Sequence, residues 1–196
     1  MIHPCTELRY ISDEIGYGLV ATHLIPCGTI TWVRDELDQI FAPDYGSHLP
    51  SVLQKQLETY SFRDRQGNHI LCWDQARYVN HSCRPNCVSA EFDFELAVRD
   101  IAPGEELTDD YGTLNIECPF TCHCREARCR LIIRPDDVLR QAAKLDSLIK
   151  ETLPFVNSVS QPLWPLLREP EKVQRVLTGE CKLPSLATHY FRNGTR

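Results

Sequence analysis

The first 33 residues alternate polar and apolar positions between short glycine and proline breaks. Gly16-Tyr17-Gly18 opens a run LVATHLI, which Pro26-Cys27-Gly28 interrupts before Thr29-Ile30. That order predicts two strands separated by a tight turn. Residues 34–50 are acidic and carry prolines, so they read as a loop. SVLQKQLETY, 51–60, fits a short helix. HILCW, 69–73, follows Gln66-Gly67-Asn68 and reads as a strand after a turn. SAEFDFELAVRD, 89–100, alternates as a hairpin does, and Ala102-Pro103-Gly104-Glu105 reads as a turn. Residues 118–135 carry cysteines and no period.

Beyond them the period becomes helical. Asp136 or Asp137 can cap a helix through VLRQAAKLDSLIKETL, with Val138, Leu139, Ala142, Leu145, Leu148 and Ile149 on one face. A second helix is expected from Pro170 through EKVQRVL, ended by Gly179. The final RNGTR reads as a frayed end. The expected organisation is a mainly β core to about residue 115, then cysteine-bearing loops, then a helical tail whose apolar stripe packs on its own domain.

Composition changes this picture little. The chain has 196 residues, 42% of them hydrophobic, enough for one domain with a core and a small appendage. No apolar run is long enough for a membrane span. The start, MIHPCTELRY, lacks a secretory pattern, so an intracellular place, cytoplasmic or nuclear, is expected. The net charge of −6 disfavours direct nucleic-acid binding and suits a basic protein or peptide partner. The charge is uneven: Glu91, Asp93, Glu95, Asp100, Glu105, Glu106, Asp109 and Asp110 face one base, Arg99. That stretch is a solvated face or an acidic rim that attracts cations.

The ten cysteines change it more. Disulfides are rare inside cells, so clustered cysteines there read as metal ligands. Cys122, Cys124 and Cys129 form a C-x-C-x4-C array, and a fourth ligand from Cys118, His123, Cys83 or Cys87 would complete a tetrahedral zinc site. Cys5, Cys27, Cys72 and Cys181 are scattered and read as buried or free thiols.

Two further segments carry the chemistry: NHSCRPNC at 80–87 and GEELTDDYG at 104–112. Each alone is a polar turn. Together and in this order, with GYG at 16–18 before them and the cysteine array after them, they resemble the SET-domain lysine methyltransferases. The resemblance covers about residues 8–133 and implies a SET domain over 1–117, a post-SET zinc segment over 118–134 and a helical C-terminal extension over 135–196. It implies several small twisted sheets in a β-clip-like, pseudoknotted fold, with the cofactor on one face and a lysine entering from the other.

The resemblance also assigns roles. Gly16, Tyr17 and Gly18 would approach S-adenosylmethionine with backbone groups, and Asn80 and His81 would hold it. Tyr111 would line the meeting point of methyl and amine. Cys83 would join Cys122, Cys124 and Cys129 on a structural zinc, with Cys118 as runner-up. The amine must react neutral, and deprotonating a lysine of pKa near 10.4 at pH 7 costs about 4.6 kcal/mol, which a narrow apolar channel beside a sulfonium reduces. Tyr111 orients the groups and need not be a strong base. Tyr60, Phe62 and Trp73 are possible channel aromatics, with core packing the expected role for Phe62 and Trp73.

The sequence departs from the family pattern at two positions. Asp109 stands where the family has an aromatic or aliphatic residue. Arg130 stands where a glycine usually follows the third post-SET cysteine. Asp109 leaves room for a small-metabolite acceptor, and a non-catalytic zinc-stabilised binding module is the remaining alternative.

Overall fold

The computed structural model describes residues 1–90 and 93–191. The RNGTR end and Glu91 lie outside the described residues. Strands β1 (Thr6–Ser12) and β2 (Gly16–Ala21) form an antiparallel hairpin, with Tyr10 opposite Tyr17 and a register shift before Ser12. β3 (Ile30–Val33) belongs to a different sheet, so the two strands expected over 16–30 form but do not pair with each other.

The segment expected as a loop holds β4 (Gln39–Phe41), which is too short to show a period. Helix α1 (Ser51–Tyr60) matches its expected bounds and leads into β5 (Ser61–Arg63) and β6 (His69–Leu71). These strands make a sheet in the order β4-β6-β5. After β7 (Asn80–His81) come β8 (Cys87–Ala90) and β9 (Phe94–Ala97), the expected hairpin, which places β9 between β3 and β8. β10 (Thr108–Asp109) then lies parallel to β7, with Thr108 beside Asn80 and Asp109 beside His81. The two motif segments are thereby brought together. β11 (Phe120–Thr121) and β12 (Ile132–Ile133) pair across the cysteine loops.

Helix α2 (Asp137–Val156) buries Val138, Ala142, Leu145 and Ile149, all expected on its inner face. Leu139 does not join them and is 46% exposed, because it sits one residue round from Val138 and turns away. Asp136 makes no capping bond through its side chain, while Asp137 Oδ2 accepts the backbone N–H of Arg134 at 3.1 Å. The buried face of α2 packs in one cluster with Ile30, Val33, Val88, Phe94 and Leu96, so this helix closes the open face of the β3-β9-β8 sheet. Gln161 fastens the following turn to β3: its Oε1 accepts the Ile30 N–H and its Nε2 donates to Gly28 O, both at 2.8 Å. α3 (Pro170–Leu177) ends before Gly179, whose φ of +78° reverses the chain. No helix among the described residues is long and apolar enough to cross a membrane.

Candidate functional site

The short β7–β10 pair fixes the centre of the site. Asn86, fully buried, clamps it: Nδ2 donates to Glu106 O and Oδ1 accepts from Thr108 N, both at 2.8 Å. Asn80 reaches the other way, to β2. Its Nδ2 donates to Tyr17 O at 3.0 Å and Glu106 Oε1 at 2.7 Å. Gly18 permits this closeness, since a Cβ there would lie 2.3 Å from Glu106 Oε1 and 2.7 Å from Asn80 Nδ2. Gly16, with φ of +82°, has open space around its missing Cβ, and Tyr17 stands 54% exposed, edge-on to Tyr10.

His81 lies behind this cradle. Its Nδ1 accepts the Tyr111 backbone N–H at 3.1 Å, which leaves Nε2 facing Cys83 Sγ at 3.4 Å. Burial lowers its pKa to about 4 against the opposing pull of the Asp110 carboxylate, so the ring is neutral at pH 7. Tyr111 donates its hydroxyl to Val79 O at 2.7 Å. Burial, then the carboxylates of Asp109, Glu106 and Glu95, push the phenol well above its ordinary value. Tyr111 therefore stays protonated, with its proton held by Val79 O.

A cavity of about 500 Å³ adjoins Tyr111. Trp32, Tyr60, Phe62 and Phe120 give it an aromatic wall. Phe62 lines the cavity and at the same time packs edge-on to Trp32 in a core cluster with Cys72 and Ala76, so the core role expected for it holds alongside the wall role. Trp73 is neither core nor wall: it is 40% exposed and donates its indole N–H to Asp35 Oδ2 at 3.0 Å. The acidic stretch is not a uniformly solvated face either. Glu95, Asp109 and Asp110 are buried, and the first two line the cavity. Asp93 ties Arg34 and Arg168, and Glu105 ties Arg99.

The cysteines converge on the opposite side of His81. Ligand atoms of His81, Cys83, Cys122 and Cys124 all lie within 4.8 Å of one another. Cys129 packs against the same cluster, where the Cys122 thiol touches those of Cys83, Cys124 and Cys129. Backbone N–H groups point at the sulfurs: Arg130 N to Cys83 Sγ and Leu131 N to Cys129 Sγ, each at 3.3 Å. Soft sulfurs around one point, held by N–H donors, are a donor set that suits zinc. Cys118 is exposed, and Cys87 is buried in a separate cluster. His81 was not among the metal candidates read from sequence.

Arg130 links this cluster to the motif. Its guanidinium bonds Asp110 Oδ1, Asp137 Oδ2 at 3.1 Å and, through Nε, Cys83 Sγ at 3.5 Å. The sequence marked Arg130 only as an unusual neighbour of Cys129. Its three-way role needs β12 and α2 to be in place. Phe120 completes the connection, with its ring 6.2 Å from that of Tyr111 and 6.1 Å from that of His81.

The family model for the SET domain matches residues 16–112. The chain belongs to the SET-domain family. The matched stretch of the SET domain starts at the GYG strand and ends at the DYG turn, the two limits of the site just described. Curated relatives include "Histone-lysine N-methyltransferase TRX1" of rice, 36% identical over 97 residues, covering 44% of this chain and 10% of that protein. Human "Histone-lysine N-methyltransferase 2D" is 41% identical over 113 residues, covering 51% of this chain and 2% of that protein. This chain thus spans a tenth or less of the length of these relatives. Among solved structures, the methyltransferase domain of human "Histone-lysine N-methyltransferase SETMAR" aligns at a TM-score of 0.45 and 19% identity, over 68% of this chain and 58% of that one.

Proposed function

We propose that this SET domain transfers a methyl group from S-adenosylmethionine to the side-chain amine of a lysine in a protein, a histone or another basic peptide. The observation that carries this reading is Tyr111. It lines the aromatic-walled cavity and, through its backbone N–H, bonds His81 of the cradle made by Gly18, Asn80 and His81. The family match and the names of the relatives support the same reaction class.

Bound in the cradle, S-adenosylmethionine would supply an electrophilic methyl on a sulfonium. The residues present fit it. Gly16, Tyr17 and Gly18 offer backbone groups, with open space beside Gly16 and with Asn80 and Glu106 seated against Gly18. Asn80 is already fixed by Tyr17 and Glu106, so it needs no reorganisation to bind. His81, neutral, positions the Tyr111 backbone. Tyr111 spends its proton on Val79 O and turns its lone pairs to the acceptor amine, which orients attack. The aromatic wall disfavours the charged amine. Cys83, Cys122, Cys124 and Cys129 would hold a structural zinc that keeps Phe120 against Tyr111. Such substrates go with an intracellular place, nuclear or cytoplasmic.

The test is incubation with S-adenosylmethionine and purified core histones, followed by mass spectrometry of the lysines. Methyl groups on a defined lysine are expected. Methylation of a small amine with none on any protein would overturn the protein-acceptor reading.

A further inference from the structure

One proton of the substrate amine has no acceptor among Gly18, Asn80, His81 and Tyr111. A lysine reaches the cavity as an ammonium, and the amine must lose a proton before its lone pair can react. Tyr111 cannot take it, because its hydroxyl already donates to Val79 O and its phenol is held protonated.

Two other groups on the cavity wall can. Glu95 on β9 and Asp109 on β10 are 8% and 4% exposed and hydrogen-bonded to each other. Both line the cavity, as does Tyr111, two residues beyond Asp109. Two carboxyl groups in contact share a proton, so the pair offers one carboxylate to an occupant. Ser89 Oγ donates to Glu95 Oε1 at 3.3 Å, and Asp110 N donates to Asp109 Oδ1 at 2.6 Å, which fixes both side chains. The groups facing the pair are Asp110, Tyr111, Cys87, Cys72 and the chain's amino terminus. Among these only the amino terminus is cationic. The cavity is also lined by Glu58, Arg63, His69, Arg77, Glu117 and Cys118. Arg63 is paired with Glu117 and bonds His69, and Arg77 bonds Trp73 O, so neither arginine is committed to the pair.

An independent feature marks this wall as built for an occupant. Trp32 lies directly opposite Glu95 in the β3–β9 register and lines the same cavity. Its indole N–H is buried without any hydrogen-bond partner. An orphan donor of this kind is destabilising, and a bound acceptor atom would satisfy it.

We propose that Glu95 and Asp109 together are the proton acceptor for the substrate amine. This rests on the lysine reading of the cavity. The ammonium gives one proton to a carboxylate oxygen of the pair. The products are a neutral amine, its lone pair freed, and a pair that carries two protons. At these buried carboxyls the two neutral partners are favoured over the ion pair, because burial penalises each charge. The pair returns its extra proton to solvent through the open cavity after turnover. Asp109, the sequence's departure from the family pattern, thereby acquires a task.

Two measurements test this with Glu95→Gln and Asp109→Asn, each checked for wild-type folding by melting temperature. The first is infrared difference spectroscopy on adding n-butylamine, a lysine side-chain mimic, to the protein without cofactor. A rise in the protonated-carboxyl band is expected in wild type and not in either variant. An equal band in the variants, or none in wild type, overturns the proposal. The second is turnover on histones. Each variant should lose on the order of 10²-fold in kcat near neutral pH, and the loss should shrink as pH approaches the lysine's own pKa. A variant with wild-type kcat, or a loss constant with pH, overturns the proposal. Wild-type protein that methylates no protein would overturn the lysine reading instead, and the infrared arm still decides the fate of the pair.

Discussion

Cys83 and Cys122 stand 39 residues apart in the chain, yet their sulfur atoms lie 3.8 Å apart. Nothing but the folding of β7, β11 and β12 around them brings this about. The pair joins the motif that carries Asn80 and His81 to the segment that carries Phe120. Metal at this point would tie the cavity wall to the cofactor cradle.

Metal analysis of the purified protein should find about one zinc per chain. Cys83→Ser and Cys122→Ser should each lose the metal and most of the activity. Cys118→Ser, at an exposed position outside the cluster, should keep both. A metal-free wild type with full activity would contradict the structural-zinc assignment.

Arg130 should matter to stability more than its place in a loop suggests. Removing it leaves the buried carboxylates of Asp110 and Asp137 without their cation. Arg130→Ala is expected to cost about 3–5 kcal/mol in denaturant unfolding. Arg130→Lys should recover little of this, since an ammonium cannot serve both carboxylates and Cys83 Sγ in one plane. Unchanged stability in Arg130→Ala would remove it from the framework.

Gly18→Ala places a methyl group where Asn80 and Glu106 now meet. The Asn80–Tyr17 bond should break, and affinity for S-adenosylmethionine should fall about tenfold or more by calorimetry. Gly16→Ala meets no atoms but forces a side chain to φ of +82°, so it should act through strain with a smaller loss of affinity. Equal affinities in wild type and Gly18→Ala would contradict the cradle.

Stability should fall with acid through His69. Arg63 Nη2 donates to its Nε2 at 3.0 Å. Ser61 Oγ donates to Leu57 O at 2.6 Å and so accepts from His69 Nδ1 at 3.0 Å. The ring is held neutral, and burial, then Arg63, lower its pKa from 6.5. The unfolded chain therefore takes up this proton first. The stability is fully present above about pH 6.5 and is lost as pH falls below it towards the folded value. His69→Asn should lower the melting temperature at neutral pH but flatten its decline between about pH 7.5 and about pH 5. Parallel declines in wild type and variant would contradict this.

The site's parts were legible unevenly, for physical reasons. NHSCRPNC and GEELTDDYG are contiguous, so their residues could be read from sequence. The pairing of His81 with Asp109, by contrast, rests on strands two residues long, which carry no period. The α2 stripe was readable because a helix repeats its contacts every turn. Leu139 fell outside it because Val138, the residue before it, takes the inner place. Phe62 and Trp73 look alike in sequence. Only the register of β5 and the contact of Trp73 with Asp35 separate a cavity wall from an exposed indole. Glu95 and Asp109 lay in a stretch read for its charge density, and burial of individual carboxyls has no sequence signal when the strands are four and two residues long.

Tyr111→Phe addresses the central claim. The measurement is transfer of labelled methyl from S-adenosylmethionine into purified histones and a whole-cell lysate, with wild type and variant in parallel and cofactor affinity checked for both. Label is expected in a discrete protein band for wild type. A loss of about 10²-fold is expected in the variant at near-normal cofactor affinity. Equal labelling by the two proteins would contradict the placement of Tyr111 at the reacting amine. Cofactor binding by wild type with no labelled protein at all would contradict protein methylation itself.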